Sequence, residues 1–359
     1  MGFNNKYMVS VRCMTYNQSA YIIDALKGFC LQQTSFPFLA IVMDDASTDG
    51  EQVVIEDFIN GNFLLSDISC KKWETEEAKW IFAQHRENPN CSFLVVFLKR
   101  NLYKQKQFKL ELIKEWEDKS KYIALCEGDD YWTDPLKLQK QVDFLEAHNE
   151  YSLCCHRYKI YNQNGGNWED GHVNECLFEK HPEGFSFDNA ENINGWFTVT
   201  LTLMYRRDCY DSSDLKYKYR CDVHLNYHLL KKGMGYCLPF MGAVYRRCDS
   251  GVYSGLIESE KVKRWCRIRG EMLEYNILDT DLRNHVYFGL RDYLNNRWVY
   301  REEFKVILVC LKSFYKTEGF WTMLRAVWKF LKSYVYGLKT KKEMYSDGST
   351  FIFYTYCQL

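Results

Sequence analysis

The sequence predicts an α/β fold: a Rossmann-like, mostly parallel sheet covered by helices, with a helical C-terminal extension. Three observations predict it. Near-continuous apolar runs of strand length alternate with helix-like segments through the first half, as strands buried on both faces require. Polar or acidic turns close those runs at their C-terminal ends. From about residue 256 strand-type alternation disappears and the pattern turns helical, so the chain divides into residues 1–255 and 256–359.

In chain order, "YMVSVRCMTYN" (7–17) is the first strand and ends in a polar turn. Ser19 reads as the N-cap of a helix carrying Ile22, Ile23, Leu26 and Cys30 on one side. "FLAIVMDD" (38–45) is the second strand, and "STDGEQVVIEDFI" is a capped helix start. "SFLVVFLKR" (92–100) is the third strand, "FKLELIKEWEDK" (108–119) a helix, and "KYIALCEGDD" the next strand. Asp134 before Pro135 fits an N-cap with proline at the first helical position. The helix it opens runs to about Asn149, with Leu138, Val142 and Leu145 inward. Three β-rich segments follow, "YSLCCHRYKIY", "FTVTLTLMYRR" and "GYCLPFMGAVYRR", while the Gly/Asn-rich stretch 163–195 reads as a loop or lid.

With 359 residues, 47% of them hydrophobic, the chain can bury a sizeable core. A formal net charge of zero gives no global attraction to nucleic acid, and none is expected as a partner. Fifteen scattered cysteines without a CxxC pair, behind an N-terminus with no apolar leader, indicate thiols in a reducing cytosol. No apolar run approaches the roughly 20 residues that span a bilayer.

In a parallel sheet of this kind ligands bind beyond the C-terminal strand ends. Those ends carry Thr15-Tyr16-Asn17, Asp44-Asp45 and Asp129-Asp130, the last beside Glu127. Adjacent carboxylates repel, and a divalent cation would reconcile them. A dinucleotide oxidoreductase is disfavoured because no GxGxxG follows the first strand. A glycoside hydrolase would need two carboxylates but not the other strand ends.

The ordered set "VSVRCMTYN…FLAIVMDDASTDG…YIALCEGDDYWTDPLKLQKQVDFLE" resembles the glycosyltransferase family 2 sequences of bacterial surface-polysaccharide synthesis, over roughly residues 7–255. The resemblance implies the GT-A fold and a metal-dependent inverting transfer. The sugar would pass from a nucleotide-diphosphate donor, UDP-sugar favoured, to a hydroxyl of a glycan or lipid-linked acceptor. It further implies Mg2+ or Mn2+ on Asp130, Asp129 against the sugar or ribose, Asp45 on the base imide, and Tyr16 stacked on the base, flanked by Thr15 and Asn17. Arg246 would face the diphosphate. Lys106, where relatives carry a small residue, would touch phosphate or sit on a solvated basic face. Asp222 occupies the position of the acidic general base, a place that equally suits a helix cap. Thr198 and Thr200, on the acceptor-side strand, and Trp132, after the acidic motif, would contact the acceptor. The closing segment "AVYRRCDSG" departs from the family, with Cys248 where a histidine commonly contributes to the metal or diphosphate site. That departure keeps a non-catalytic or weakly active nucleotide-sugar-binding protein as the alternative.

Between Gly319 and Lys342 stand six cations and no acid, with apolar residues at helical spacing. Such a helix fits an anionic membrane interface and fits packing on the catalytic domain equally well. The first option would make the protein cytoplasmic but peripheral at the inner face of the plasma membrane.

Overall fold

The computed structural model describes residues 6–66, 68–103, 110–171, 175–210, 217–218, 220–248, 256–295 and 301–339. Lys104, Lys106, Asp211, Asp214 and Asp249 lie outside the described residues. The chain forms two compact units. The first comprises Met1–Asn189, Trp196–Asp214 and Asn226–Cys248; the second comprises Ala190–Gly195, Leu215–Leu225 and Asp249–Leu359.

The elements run β1 (Tyr7–Thr15), α1 (Ile22–Cys30), β2 (Phe38–Asp44), α2 (Glu51–Asn62), β3 (Cys70–Glu74), β4 (Ala78–Gln84) and β5 (Cys91–Leu98). Then come α3 (Lys114–Glu117), β6 (Ser120–Leu125), β7 (Tyr131–Trp132), α4 (Lys137–Ala147), β8 (Tyr151–Asn162) and β9 (Asn167–Asp170). They continue with α5 (Glu175–Lys180), β10 (Phe185–Phe187), α6 (Asn189–Gly195), β11 (Met204–Arg206), α7 (Asp222–Leu230) and β12 (Met234–Arg247). Helices α8 (Glu258–Tyr275), α9 (Thr280–Asn295), α10 (Arg301–Glu318) and α11 (Phe320–Lys339) complete the chain.

The strands form one mixed sheet in the order β10-β12-β8-β11-β6-β1-β2-β5-β4-β3, with β7 on β12 and β9 on β8. β6, β1, β2 and β5 are parallel neighbours, as is the β8–β12 pair; the other pairings are antiparallel. The "mostly parallel" expectation therefore holds for the centre and is corrected at both flanks. The central strands are apolar on both faces because both are covered. On β2, Phe38, Ala40 and Val42 join the core with α1 and α2, while Leu39, Ile41 and Met43 face a second core that includes Ile113. Each of the larger buried side chains, Ala40 aside, is worth about 1.5–3 kcal/mol. Arg12 interrupts β1's apolar run, and its guanidinium is bonded to the Glu117 carboxylate at 2.6 and 2.7 Å, with Tyr205 as a further acceptor at 3.1 Å.

Several local expectations are corrected. The helix expected over 108–119 is only a 3-10 turn at Leu110–Leu112 followed by α3. The β3–β4 hairpin was not expected, since its outer strand "CKKWE" is largely exposed and carries no apolar run. The stretch 163–195 holds β9, α5, β10 and α6 rather than one loop. Ser19 does not cap α1, whose N-cap is Tyr21 without a side-chain bond. The described cysteines form no disulfide.

In the second unit α8 to α11 pack through Val262, Cys266, Leu273, Val286, Leu290, Val306, Cys310 and Phe330, all buried. Among the described residues no helix is long and apolar enough to cross a membrane.

Candidate active site

Register brings the site together. Thr15 at the end of β1 pairs with Asp44 at the end of β2, and Arg12 pairs with Leu125 at the end of β6. The chain leaving β6 stays against β1, with the Gly128 amide donating to the Met14 carbonyl at 3.1 Å. A Cβ at Gly128 would meet Thr15 Oγ1 at 2.4 Å and Gln18 Oε1 at 2.6 Å, so glycine is required where the acidic turn crosses β1. Asn17 and Ala46 both hold positive φ, 54° and 60°, just past the ends of β1 and β2. Non-glycine residues adopt that conformation only when their surroundings enforce it. Here the two turns interlock, Asn17 N donating to Ser47 Oγ at 2.8 Å and Thr48 N to Asn17 Oδ1 at 2.8 Å.

Beneath the turns lies Glu51, fully buried at the start of α2. Its carboxylate accepts from Thr15 Oγ1, from Gln18 N at 2.9 Å and from Ser47 Oγ at 2.8 Å. Burial raises its pKa against the pull of these bonds.

Carboxylate oxygens of Glu127, Asp129 and Asp130 lie within 4.8 Å of one another. Asp130 is 1% exposed. Its Oδ1 accepts from the Arg246 backbone amide at 2.8 Å, and its Oδ2 is buried with no hydrogen-bond partner among the described residues. Burial pushes the Asp130 carboxyl well above the usual range, and the charges of Asp129 and Glu127 push it further. Asp129 is raised by burial and partly restored by Gln18 and Arg246. The Arg246 guanidinium is held over the rings of Tyr21 and Tyr131 at 4.7 and 5.2 Å, and is bonded to Asp24 Oδ2 at 2.6 Å. An uncompensated buried oxygen costs about 1–3 kcal/mol. An orphaned carboxylate oxygen, flanked by one half-buried and one exposed acid, is a hard-oxygen donor set that suits Mg2+ or Mn2+. The residues present fit such an ion.

The other expected residues divide. Tyr16 is half-buried and Asn17 exposed at the strand end. Thr15 is 3% exposed with its hydroxyl committed to Glu51 and Gln18, so it braces the turn rather than facing a ligand. Asp45 is a correction of the same kind. It is 1% exposed, and its carboxylate accepts from the amides of Leu102 and Tyr103 at 2.8 and 3.2 Å, fastening the loop after β5. Ser47 does not cap α2; its hydroxyl goes to Glu51, and Asp49 Oδ1 receives the Glu51 amide at 3.1 Å. Trp132 is a core residue, 2% exposed, its ring edge-on to Phe29 and its Nε1 donating to the Leu201 carbonyl at 2.9 Å; that removes it from the acceptor surface. Thr198 is buried as well, and Thr200 is half-buried in a 3-10 turn. Cys248 is buried beyond β12. Asp222 opens α7 in the second unit, exposed, its Oδ1 accepting from the Val223 amide at 2.9 Å. Asp134 is structural but is not the N-cap, since α4 starts at Lys137 with Leu136 before it; its Oδ1 receives the Leu136 amide at 2.8 Å and its Oδ2 the Lys140 ammonium at 2.6 Å.

The sequence reading missed Glu51, Gln18, Asp24 and Tyr21 as parts of the site. The Ser/Thr-rich turn with a glutamate four residues after Ser47 was a signal for Glu51. Asp24 carried none, because its partner lies 222 residues away.

Comparison with known proteins agrees with the fold. The model described as "Glycosyl transferase family 2" matches residues 81–213. Over 246 residues, 68% of the chain, the sequence is 30% identical to uncharacterized proteins of Mycobacterium bovis and Mycobacterium tuberculosis. The chain spans about 60% of the length of those relatives. The crystal structure of Staphylococcus aureus TarS 1-349 in complex with UDP is similar with a TM-score of 0.51 and 16% identity, covering 91% of this chain and 89% of that one. At that identity the likeness concerns the fold. The matched segment, 81–213, contains the acidic turn Glu127–Asp130.

Proposed function

We propose that the protein is a metal-dependent inverting glycosyltransferase using a nucleotide-diphosphate sugar, UDP-sugar favoured, and a hydroxyl of a glycan or lipid-linked acceptor. The observation that carries this reading is the buried, unpartnered Asp130 Oδ2 beside Asp129 and Glu127 at the sheet's C-terminal edge. Asp130 would hold Mg2+ or Mn2+, with Glu127 or Asp129 as a further oxygen donor. When bound, the ion neutralises charge developing on the leaving nucleoside diphosphate. Arg246, fixed by Asp24, Tyr21 and Tyr131, orients the acidic turn through its backbone amide and adds a positive charge to the same pocket. Tyr16 offers a ring to the base and Asp129 an acceptor to the sugar hydroxyls. Asp222 takes the proton of the attacking hydroxyl.

Transfer assays on two variants test the roles. Asp222→Asn is expected to lower turnover about 10²–10⁴-fold with donor affinity retained. Asp130→Ala is expected to abolish metal-dependent donor binding. Unchanged turnover in both variants, with nucleotide binding intact, would overturn this mechanism, and nucleotide binding without turnover in the parent would establish the non-catalytic reading. The buried Cys248 in place of a histidine is the observation that favours that reading.

The membrane reading of the C-terminal helix gains support from α11. Trp321, Leu324, Trp328, Leu331 and Val335, at i, i+3, i+7 spacing, are exposed, whereas Ala326, Phe330 and Ser333 face the unit's interior. Arg325, Lys329 and Lys332 are exposed on the same helix. An outward apolar stripe bordered by cations suits the interface of an anionic bilayer, where a lipid-linked acceptor resides.

A further inference from the structure

A row of side chains crosses three strands beside the acidic turn. Arg246 on β12 pairs with Tyr161 on β8, and Tyr161 pairs with Trp168 on β9. Residues directly opposed across strands share a face of the sheet, so the three project together. Neighbouring strands lie about 4.8 Å apart, which gives the row a length of about 10 Å. One end of it is the Asp130 site: the Arg246 amide holds Asp130 Oδ1 at 2.8 Å, and the Arg246 guanidinium lies over the Tyr131 ring at 5.2 Å. The other end is exposed. Trp168 is 53% exposed, and its ring leans on that of Tyr161 at a centroid distance of 4.7 Å and an angle of 41°. The opposite face of the same strands carries their polar fastening. Arg247 Nη1 donates to Asn162 Oδ1 at 3.3 Å and to Glu169 Oε2 at 3.2 Å, and Asn162 Nδ2 donates to Glu169 Oε1 at 2.5 Å. The β8–β9 hairpin is thus tied to β12 by side chains other than the exposed indole.

Trp132 and Thr198, expected to contact the acceptor, are buried. We propose that Trp168 and Tyr161 form the acceptor subsite instead, on which a neutral pyranose oligosaccharide lies with its end directed at the Asp130 site. The inference rests on the glycosyltransferase reading above. The C–H face of a pyranose is flat and apolar and packs on an aromatic ring, and its hydroxyls project from the rim, where phenols such as those of Tyr161 and Tyr131 supply hydrogen bonds. Two features of the row select this occupant. It is continuous with the donor site, so a sugar chain lying along it delivers a terminal hydroxyl to the donor. It also offers rings and phenols, and its one guanidinium is already bonded to Asp24 at 2.6 Å, which suits a hydroxyl-rich neutral chain rather than an anionic one.

The test uses the full chain, an array of neutral pyranose oligosaccharides, and calorimetric titration of UDP with Mn2+. The parent is expected to bind oligosaccharides on the array. Trp168→Ala and Tyr161→Ala are each expected to lower that signal about five- to tenfold, and Trp168→Phe, which keeps a stacking face, to restore most of it. UDP affinity and thermal midpoint should stay at the parental values in Trp168→Ala, whose side chain is largely exposed and belongs to the sugar end of the row. Equal array signals from the parent and Trp168→Ala overturn the subsite. So does a parent that binds UDP and no oligosaccharide, an outcome that leaves the glycosyltransferase reading standing. A Trp168-dependent dimer in light scattering, without sugar binding, overturns it too and assigns the face to a second copy of the chain. Failure of the parent to bind UDP would strike the glycosyltransferase reading alone, and the array would still decide the subsite.

Discussion

Replacing Asp130 by asparagine keeps an oxygen for the Arg246 amide and exchanges an orphaned buried carboxylate oxygen for a neutral amide. The variant without metal is expected to be about 1–3 kcal/mol more stable than the parent, read as a rise of several degrees in thermal midpoint. A fall would show that the carboxylate is satisfied and that no cation is needed there. Lys137 makes a second residue-scale case. It is fully buried, its ammonium 3.9 Å above the Trp132 ring and bonded to Gln141 Oε1 at 2.7 Å. Burial pulls its pKa from 10.5 down to about 7. The unfolded chain therefore binds the extra proton between those values. Stability from this site is present above pH 10.5 and is lost as pH falls toward about 7. Lys137→Met is expected to stabilise the fold by about 1–3 kcal/mol at pH 7, less at pH 9, in denaturant titrations at both pH values. A gain that does not shrink with rising pH would refute the assignment.

At the scale of elements, the acidic turn depends on the close crossing of β6's exit over β1. Gly128→Ala is expected to cost about 1–3 kcal/mol, because the added carbon meets Thr15 Oγ1 and Gln18 Oε1 inside van der Waals contact. A neutral outcome in chemical denaturation would mean that the turn shifts freely. In α11, Trp321→Ser with Trp328→Ser should weaken co-sedimentation with phosphatidylglycerol vesicles several-fold and leave the melting temperature unchanged, both side chains being exposed. Equal sedimentation of parent and variant would remove α11 as the contact. The same elements show what was legible in the sequence. β1, β2, β5 and β6 were readable because burial on both faces writes a near-continuous apolar run, broken in β1 by Ser10 and Arg12. The β3–β4 hairpin was not, since exposed Lys71 and Lys72 remove that signature. Asp129 and Asp130 were readable as a local cluster. Asp45 was misassigned because its partners are backbone amides of Leu102 and Tyr103, invisible to a reading of side-chain types.

For the whole molecule, the first unit carries the acidic strand ends and all of the matched segment 81–213 except Ala190–Gly195, and the second carries the exposed face of α11. The central claim is that the Asp130 cluster joins a divalent cation to a nucleoside diphosphate. Calorimetric titration of UDP into the full chain, with Mn2+ and with chelator, tests it most directly, alongside Asp130→Asn. The parent should bind at least about tenfold more tightly with Mn2+, a difference of about 1.4 kcal/mol, and the variant should show no such difference. Equal affinity of the parent with and without Mn2+, or an undiminished metal effect in the variant, would contradict it.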